Sequence, residues 1–234
     1  MSRFFLMVLF FIAIIPAAAS AQDKDEIIAK YIEARGGAEK IKSVKSIVMT
    51  GVLLGGDVSY PIKFTCVAGK AFKVEMQAND TIAFQLVTQT NGWTFFPDTK
   101  ESKPESMKEQ DVEEAQDYLD LDGPLVDYQS KGYTIQYEGK EQVDNRQCYK
   151  LIVSKPGSMF ATWYLDEQYY IYRIIKQPKD TTLQAEGTTY SNYKKTPEGI
   201  VFPYHWTVPG GYVDINKIEL NTPVREEVFR FRQK

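Results

Sequence analysis

Phe160–Ile175, FATWYLDEQYYIYRII, reads as two short strands joined at Asp166-Glu167. A half-buried strand alternates apolar with polar residues. Here both parities are apolar or aromatic: Trp163 and Leu165 on one, Phe160, Tyr164, Tyr170 and Tyr172 on the other. Such a hairpin needs a partner on each face, which may be a core, a ligand or another chain.

The same strand-turn pattern extends in both directions. Upstream, SIVMTGVLLGGDVSYPIKFTCVAGKAFKVEMQ gives three runs parted by Gly-Gly-Asp and Ala-Gly-Lys, and TIAFQLVTQTNGWTFFP gives two more about Asn91-Gly92, a hairpin signal. Around and beyond the opening hairpin come YTIQYEGKEQV, QCYKLIVS, TTLQAEGTTYSNY, GIVFPYHWTV and YVDINKIEL, with turns at Asp144-Asn145, Pro197-Glu198-Gly199 and Gly210-Gly211. About ten short strands with few helices predict a mainly β chain built as an antiparallel meander. A sheet that long curls, closes or splits into two layers.

Two helical segments interrupt it. DKDEIIAKYIEARGG carries Ile27, Ile28, Tyr31 and Ile32 as one stripe and ends at Gly36-Gly37. KESKPESMKEQDVEEAQDYLDLDGPLVDYQSKG is acidic and rich in helix formers, with Pro104 as a possible first residue and Met107, Val112, Ala115, Tyr118 and Leu119 as apolar contacts.

The N-terminus has the three parts of a secretory signal: MSR, the apolar FFLMVLFFIAII, and small residues ending in Ala19-Ser20-Ala21. The expected division is a signal peptide over 1–21 and a single domain over 22–234, soluble and, in a cell with two membranes, periplasmic. The apolar run is shorter than the roughly 20 residues of a membrane span. A net charge of −3 and the lack of a basic run argue against nucleic acid as a partner. Cys66 shares parity with Ile62 and Phe64, whereas Cys148 has parity opposite to Leu151 and Val153, so the alternation argues against a disulfide.

No catalytic or cofactor motif is legible. The single histidine, His205, points away from Phe202, Tyr204 and Trp206 on its strand, and a lone His rules out a His-rich metal site. The acids of DVEE read as the wet side of a helix; those of DYLDLDG offer the hard oxygen ligands of a weak cation site but lack the loop pattern of an EF-hand. No phosphate loop or dinucleotide fingerprint is present. The expectation is therefore a protein that is not an enzyme and has no cofactor, catalytic residue or bound metal.

What remains is apolar surface. Ile62 and Phe64, Val74 and Met76, Phe84 and Leu86, Trp93 and Phe95, Trp163 and Leu165, and Phe202, Tyr204 and Trp206 each stand at alternating positions suited to one shared side of the sheet. That side is either a core under the helices or the lining of a cavity for an apolar ligand.

The layout resembles periplasmic lipoprotein carriers of the LolA/LolB-like superfamily. IIAKYIEARGGAEKIKSVKSIVMTG looks like their opening helix and first strand, YLDLDGPLVDYQSKGYTIQYEGKEQVDNRQCYKLIV like their central segment, TWYLDEQYYIYRII like their paired strands, and IELNTPVREEVFRF like their closing segment. The resemblance implies a strongly curved antiparallel sheet forming an unclosed half-barrel, with an N-terminal helix and a central helical insert covering the concave face. It also implies acyl chains of a lipid or lipoprotein on that face, a membrane-associated donor or acceptor protein as a further partner, and an arginine that holds a lid closed. Arg146 and Arg173 are the candidates for that arginine by position. The function it implies is a non-enzymatic periplasmic carrier or binding protein for an acylated ligand. The alternative is an envelope sensor or protein-interaction module on the same fold.

Overall fold

The chain folds around one long antiparallel sheet. The structure, a computed structural model, describes residues 17–97, 103–156, 160–177 and 186–230. Among these, thirteen strands follow chain order: β1 Ser46–Gly55, β2 Val58–Val67, β3 Ala71–Ala78, β4 Thr81–Thr88, β5 Gly92–Phe95, β6 Glu105–Ser106, β7 Thr134–Val143, β8 Arg146–Ser154, β9 Phe160–Leu165, β10 Ile171–Lys176, β11 Glu186–Lys195, β12 Val201–Val208 and β13 Gly211–Leu220. Their order in the sheet is β6-β5-β4-β3-β2-β1-β13-β12-β11-β10-β9-β8-β7. Two meanders thus meet at the β1–β13 seam, and the sheet is an unclosed half-barrel.

This order fixes the role of the central insert. β6 and β7 are consecutive in sequence but lie at opposite edges of the sheet, so the chain between them must cross from one edge to the other. It does so as α3, Glu109–Ala115, a 3-10 turn at Gln116–Leu119, and a run of turns to Tyr133. Its apolar residues dock in sequence: Leu125 joins the core under β7–β9, and Val126 joins the core under β1, β2 and β13. Pro104 does not start the helix; it precedes the two-residue edge strand β6.

α1, Ala17–Ala34, lies against β7–β9 through buried Ile27, Ile28 and Tyr31. Gly36 and Gly37 stop it at φ 117° and 93°, and α2, Ala38–Lys42, adds one turn that buries Ile41. α1 begins upstream of the expected cleavage point, so Asp25 and Glu26 lie within it rather than in its first turn. The apolar core expected of the signal peptide falls outside the described residues, as do 178–185, where the sequence predicts the start of a long strand. No helix among the described residues is long and apolar enough to cross a membrane.

Hairpin geometry follows local chemistry. Asp144 and Asn145, at φ 46° and 64°, form the two-residue turn that pairs Val143 with Arg146. At the β4–β5 hairpin the turn is Thr88–Asn91, and Gly92 already belongs to β5. A Cβ there would lie 2.5 Å from Met107 Sδ, so a larger residue would have to push the Met107 side chain aside.

The opening hairpin is covered on both sides. Ala161, Trp163 and Leu165 face α1, and Leu165 is fully buried. Tyr164 packs the other way, with Val143 and Cys148 and the half-buried Tyr172 and Ile175. A small second core on the convex side therefore accounts for much of the doubled apolar pattern. The two thiols are free and buried, Cys66 in the core between α2 and the β1–β13 seam and Cys148 in this convex cluster.

Candidate functional site

The concave side carries a row of aromatic groups that the helices leave half-buried. Antiparallel register partners share a face. Met49 opposes Phe64, Phe64 opposes Val74, and Ile62 opposes Met76, which places β1, β2 and β3 residues together. Val213 opposes Trp206 across β13 and β12, and Phe202 and Tyr204 share that parity. Phe64, Phe72, Val74, Phe202, Tyr204 and Trp206 are all half-buried and pack against the core formed by Ile47, Ile62, Cys66, Val213 and Ile215.

A single distance shows how strongly the sheet curls here. β2 and β12 are three strand spacings apart, about 14 Å in a flat sheet. The rings of Phe64 and Trp206 nevertheless lie 5.6 Å centroid to centroid. Tyr190 of β11 adds a ring 6.5 Å from Trp206, and Tyr118 of the 3-10 turn stacks on Phe72 at 5.0 Å. Tyr118 is 45% exposed, and Lys176 Nζ lies 5.2 Å from its ring. The result is a half-buried aromatic row along the concave side, with the exposed ring of Tyr118 at its edge. Burial pushes the Tyr190 phenol up to about 12 and the Cys66 thiol up to about 12, so both are neutral, and Cys66 is a poor nucleophile.

Of the thirteen residues expected to share one side, Ile62, Phe64, Val74, Met76, Phe202, Tyr204 and Trp206 meet on this concave stretch. Trp163 and Leu165 share the same face but lie beneath α1, within the core. Phe84, Leu86, Trp93 and Phe95 face the other way. Glu75 opposes Phe84, Lys73 opposes Leu86, and the Phe84 and Phe95 rings sit 6.1 Å apart on that convex side. β4 is apolar on both parities, so alternation alone does not tell its faces apart. The two-residue turn Asn79-Asp80 does: it pairs Ala78 with Thr81 and so turns Ala83 and Val87 inward.

Among the described residues the candidate arginines find their partners on strands and turns: Arg173 of β10 pairs with Asp144 at the β7–β8 turn, and Arg146 lies over Tyr172. Arg35 instead ties the end of α1 to the central insert, donating from Nη1 to the Asp122 carbonyl at 3.2 Å and to the Tyr31 hydroxyl at 3.1 Å. No sequence motif marks it.

The acids of the DYLDLDG stretch are engaged. Asp117 accepts from the Tyr133 hydroxyl at 2.8 Å, and Asp120 pairs with Lys131 at 2.8 Å. Among the described residues no group of three or more His, Cys, Asp or Glu is arranged to hold a metal ion. A 400 Å³ surface concavity beside α2 has a mixed lining, with Val44, Leu119 and Leu121 beside Lys42, Lys45 and Asp120. His205 Nδ1 lies 2.7 Å from Asp214 Oδ1, with Ser191 as its register partner on β11. No hydrogen bond joins Ser191 to the ring, so the nucleophile–base link of hydrolytic catalysis is not formed.

Asp166, at the β9–β10 turn, accepts from the Gln168 and Tyr170 amides at 2.9 Å each, yet burial pushes its carboxyl up. A raised acid costs stability once it ionises. The native state holds that proton more tightly, so the group's contribution is fullest below the ordinary value of 3.8 and is lost as pH rises through the raised native value. Wild type is thus expected to gain on Asp166→Asn as pH falls from 7 to 4. Urea midpoints for both proteins at the two pH values check this, and an equal or larger wild-type margin at pH 7 contradicts it.

Crystal structures supply the fold's relatives. A Vibrio parahaemolyticus domain named as an outer membrane lipoprotein-sorting protein domain matches with TM-score 0.55 and 13% identity over 89% of this chain and 97% of that one. The LolA superfamily protein NE2245 from Nitrosomonas europaea matches with TM-score 0.57 and 13% identity over 89% and 97%. A DUF1329 family protein from Desulfovibrio piger matches with TM-score 0.58 and 12% identity over 88% and 97%. At these identities the likeness establishes the fold: the chain has the architecture of LolA-superfamily and lipoprotein-sorting domains across most of its length. No family model matches the sequence, and no curated protein does.

Proposed function

We propose that this chain is a secreted, non-enzymatic carrier or binding protein whose concave cleft takes the acyl chain of a lipid or lipoprotein. The observation that carries this reading is the half-buried row Phe64, Val74, Tyr204 and Trp206, left partly open where α1 covers Trp163 and Leu165 completely. The likeness to proteins named for lipoprotein sorting supports it. So does the N-terminal pattern, which would deliver the chain to the periplasm before ligand binding. Each methylene buried in such a cleft contributes about 0.8 kcal/mol, so a long chain binds without specific polar contacts. Release then requires either a more apolar acceptor or an opening of the cleft.

A fluorescent long-chain acyl probe tests this. Saturable uptake by the purified protein, with a negative heat-capacity change, is the expected result. No uptake by protein first stripped of endogenous lipid would count against the reading.

A further inference from the structure

We propose that Arg35 is an oxyanion receptor at one end of the aromatic cleft, so that the ligand is an amphiphile carrying a carboxylate or phosphate. This rests on reading the cleft as an acyl-chain site.

The argument begins with unused donors. A guanidinium presents five N–H groups in a rigid fork. Arg35 engages only Nη1, with the Tyr31 hydroxyl and the Asp122 carbonyl. Nε and Nη2 have no partner among the described residues. Nor does any carboxylate of those residues lie within ion-pair distance, whereas Arg173 and Arg230 each have one. The side chain is half-buried, with its guanidinium 5.6 Å from the Phe202 ring and 5.7 Å from the Tyr31 ring. Asp122 offers Arg35 its carbonyl and turns its carboxylate toward Lys131 at 3.9 Å. Burial also pushes the Asp122 carboxyl up, weakening it as a counter-ion.

A partly desolvated cation with three free N–H groups on two nitrogens favours an oxyanion, two of whose oxygens meet both nitrogens at once. The placement matches such a ligand. Phe202, Tyr204 and Trp206 follow one another on the concave side of β12, with Arg35 at the Phe202 end. Trp206 is four residues further along, about 14 Å at strand rise. Lys194 Nζ, 4.8 Å from the Tyr204 ring, adds a second cation along that row. An anionic head at Arg35 would therefore lay its chain over Tyr204 toward Trp206 and Phe64.

Calorimetry on the purified full chain, with laurate, dodecyl phosphate and dodecyl maltoside below their micelle thresholds, separates the possibilities. At least one anionic probe is expected to bind about tenfold or more tightly than the maltoside. Laurate leading identifies a carboxylate, and dodecyl phosphate leading identifies a phosphate head. Arg35→Gln is expected to erase the preference, bringing the affinity for the anionic probes down to that for the maltoside. If that variant fails to fold, the wild-type comparison decides alone, with Arg35→Lys expected to reduce the preference. Equal wild-type affinity for all three overturns the anion receptor and leaves the acyl cleft standing. Binding of none of the three overturns both.

Discussion

Trp206→Asp lowers acyl-probe affinity by at least about 100-fold and leaves the protein folded. Removing an indole from the cleft forfeits on the order of 3 kcal/mol of apolar contact, and each 1.4 kcal/mol is about tenfold in affinity. The new carboxylate would also have to shed water as the chain enters. The fold tolerates the change because Trp206 is only half-buried, packed on the margin of the core rather than sealed within it. Trp163→Asp is the instructive contrast. Trp163 is 5% exposed beneath α1, so a charge there disrupts the core, and its loss of binding would say nothing about a ligand. Probe titration with circular dichroism on both variants checks the pair. A folded Trp206→Asp protein that binds within about twofold of wild type contradicts the placement of the cleft.

Gly51→Ala destabilises the protein by about 3 kcal/mol or more, near the top of the range for overpacking, for a Tm loss near 10 °C. A Cβ at Gly51 would stand 2.0 Å from the Asp214 carbonyl oxygen and 2.9 Å from Ile215 Cα, backbone atoms that cannot swing aside. The site is the bulge where the β1–β13 register slips between Thr50 and Gly51, so relief there means parting the strands that join the two meanders. Gly55 lies on the same strand with nothing nearer than 3.8 Å, and Gly55→Ala serves as the matched control, with little loss. Thermal melts of the two variants check this; equal Tm values contradict it.

The parts of the fold that read correctly from sequence are those where local pattern and tertiary demand agree. The Ile27, Ile28, Tyr31 stripe with its Gly-Gly stop became α1, and the strand-turn spacing became a meander. The opposed parities of Cys66 and Cys148 became two free thiols on opposite sides of the sheet. Alternation failed on β4, where both parities are apolar and only the Asn79-Asp80 turn sets the faces. It also could not separate Trp163, sealed by α1, from Trp206, left half-open, since that difference depends on where a helix distant in sequence comes to rest. Arg35 was invisible for a similar reason. Tyr31 stands one helical turn before it, but Asp122 and Phe202 come from two distant parts of the chain, and no spacing announces them.

The most direct test of the central claim is native mass spectrometry with lipid extraction on protein purified without detergent from its native cells. The account predicts an added mass matching a lipid or acylated peptide, present in wild type and absent from folded Trp206→Asp. A bare polypeptide mass that stays unchanged after incubation with phospholipid and with acylated peptide would contradict it.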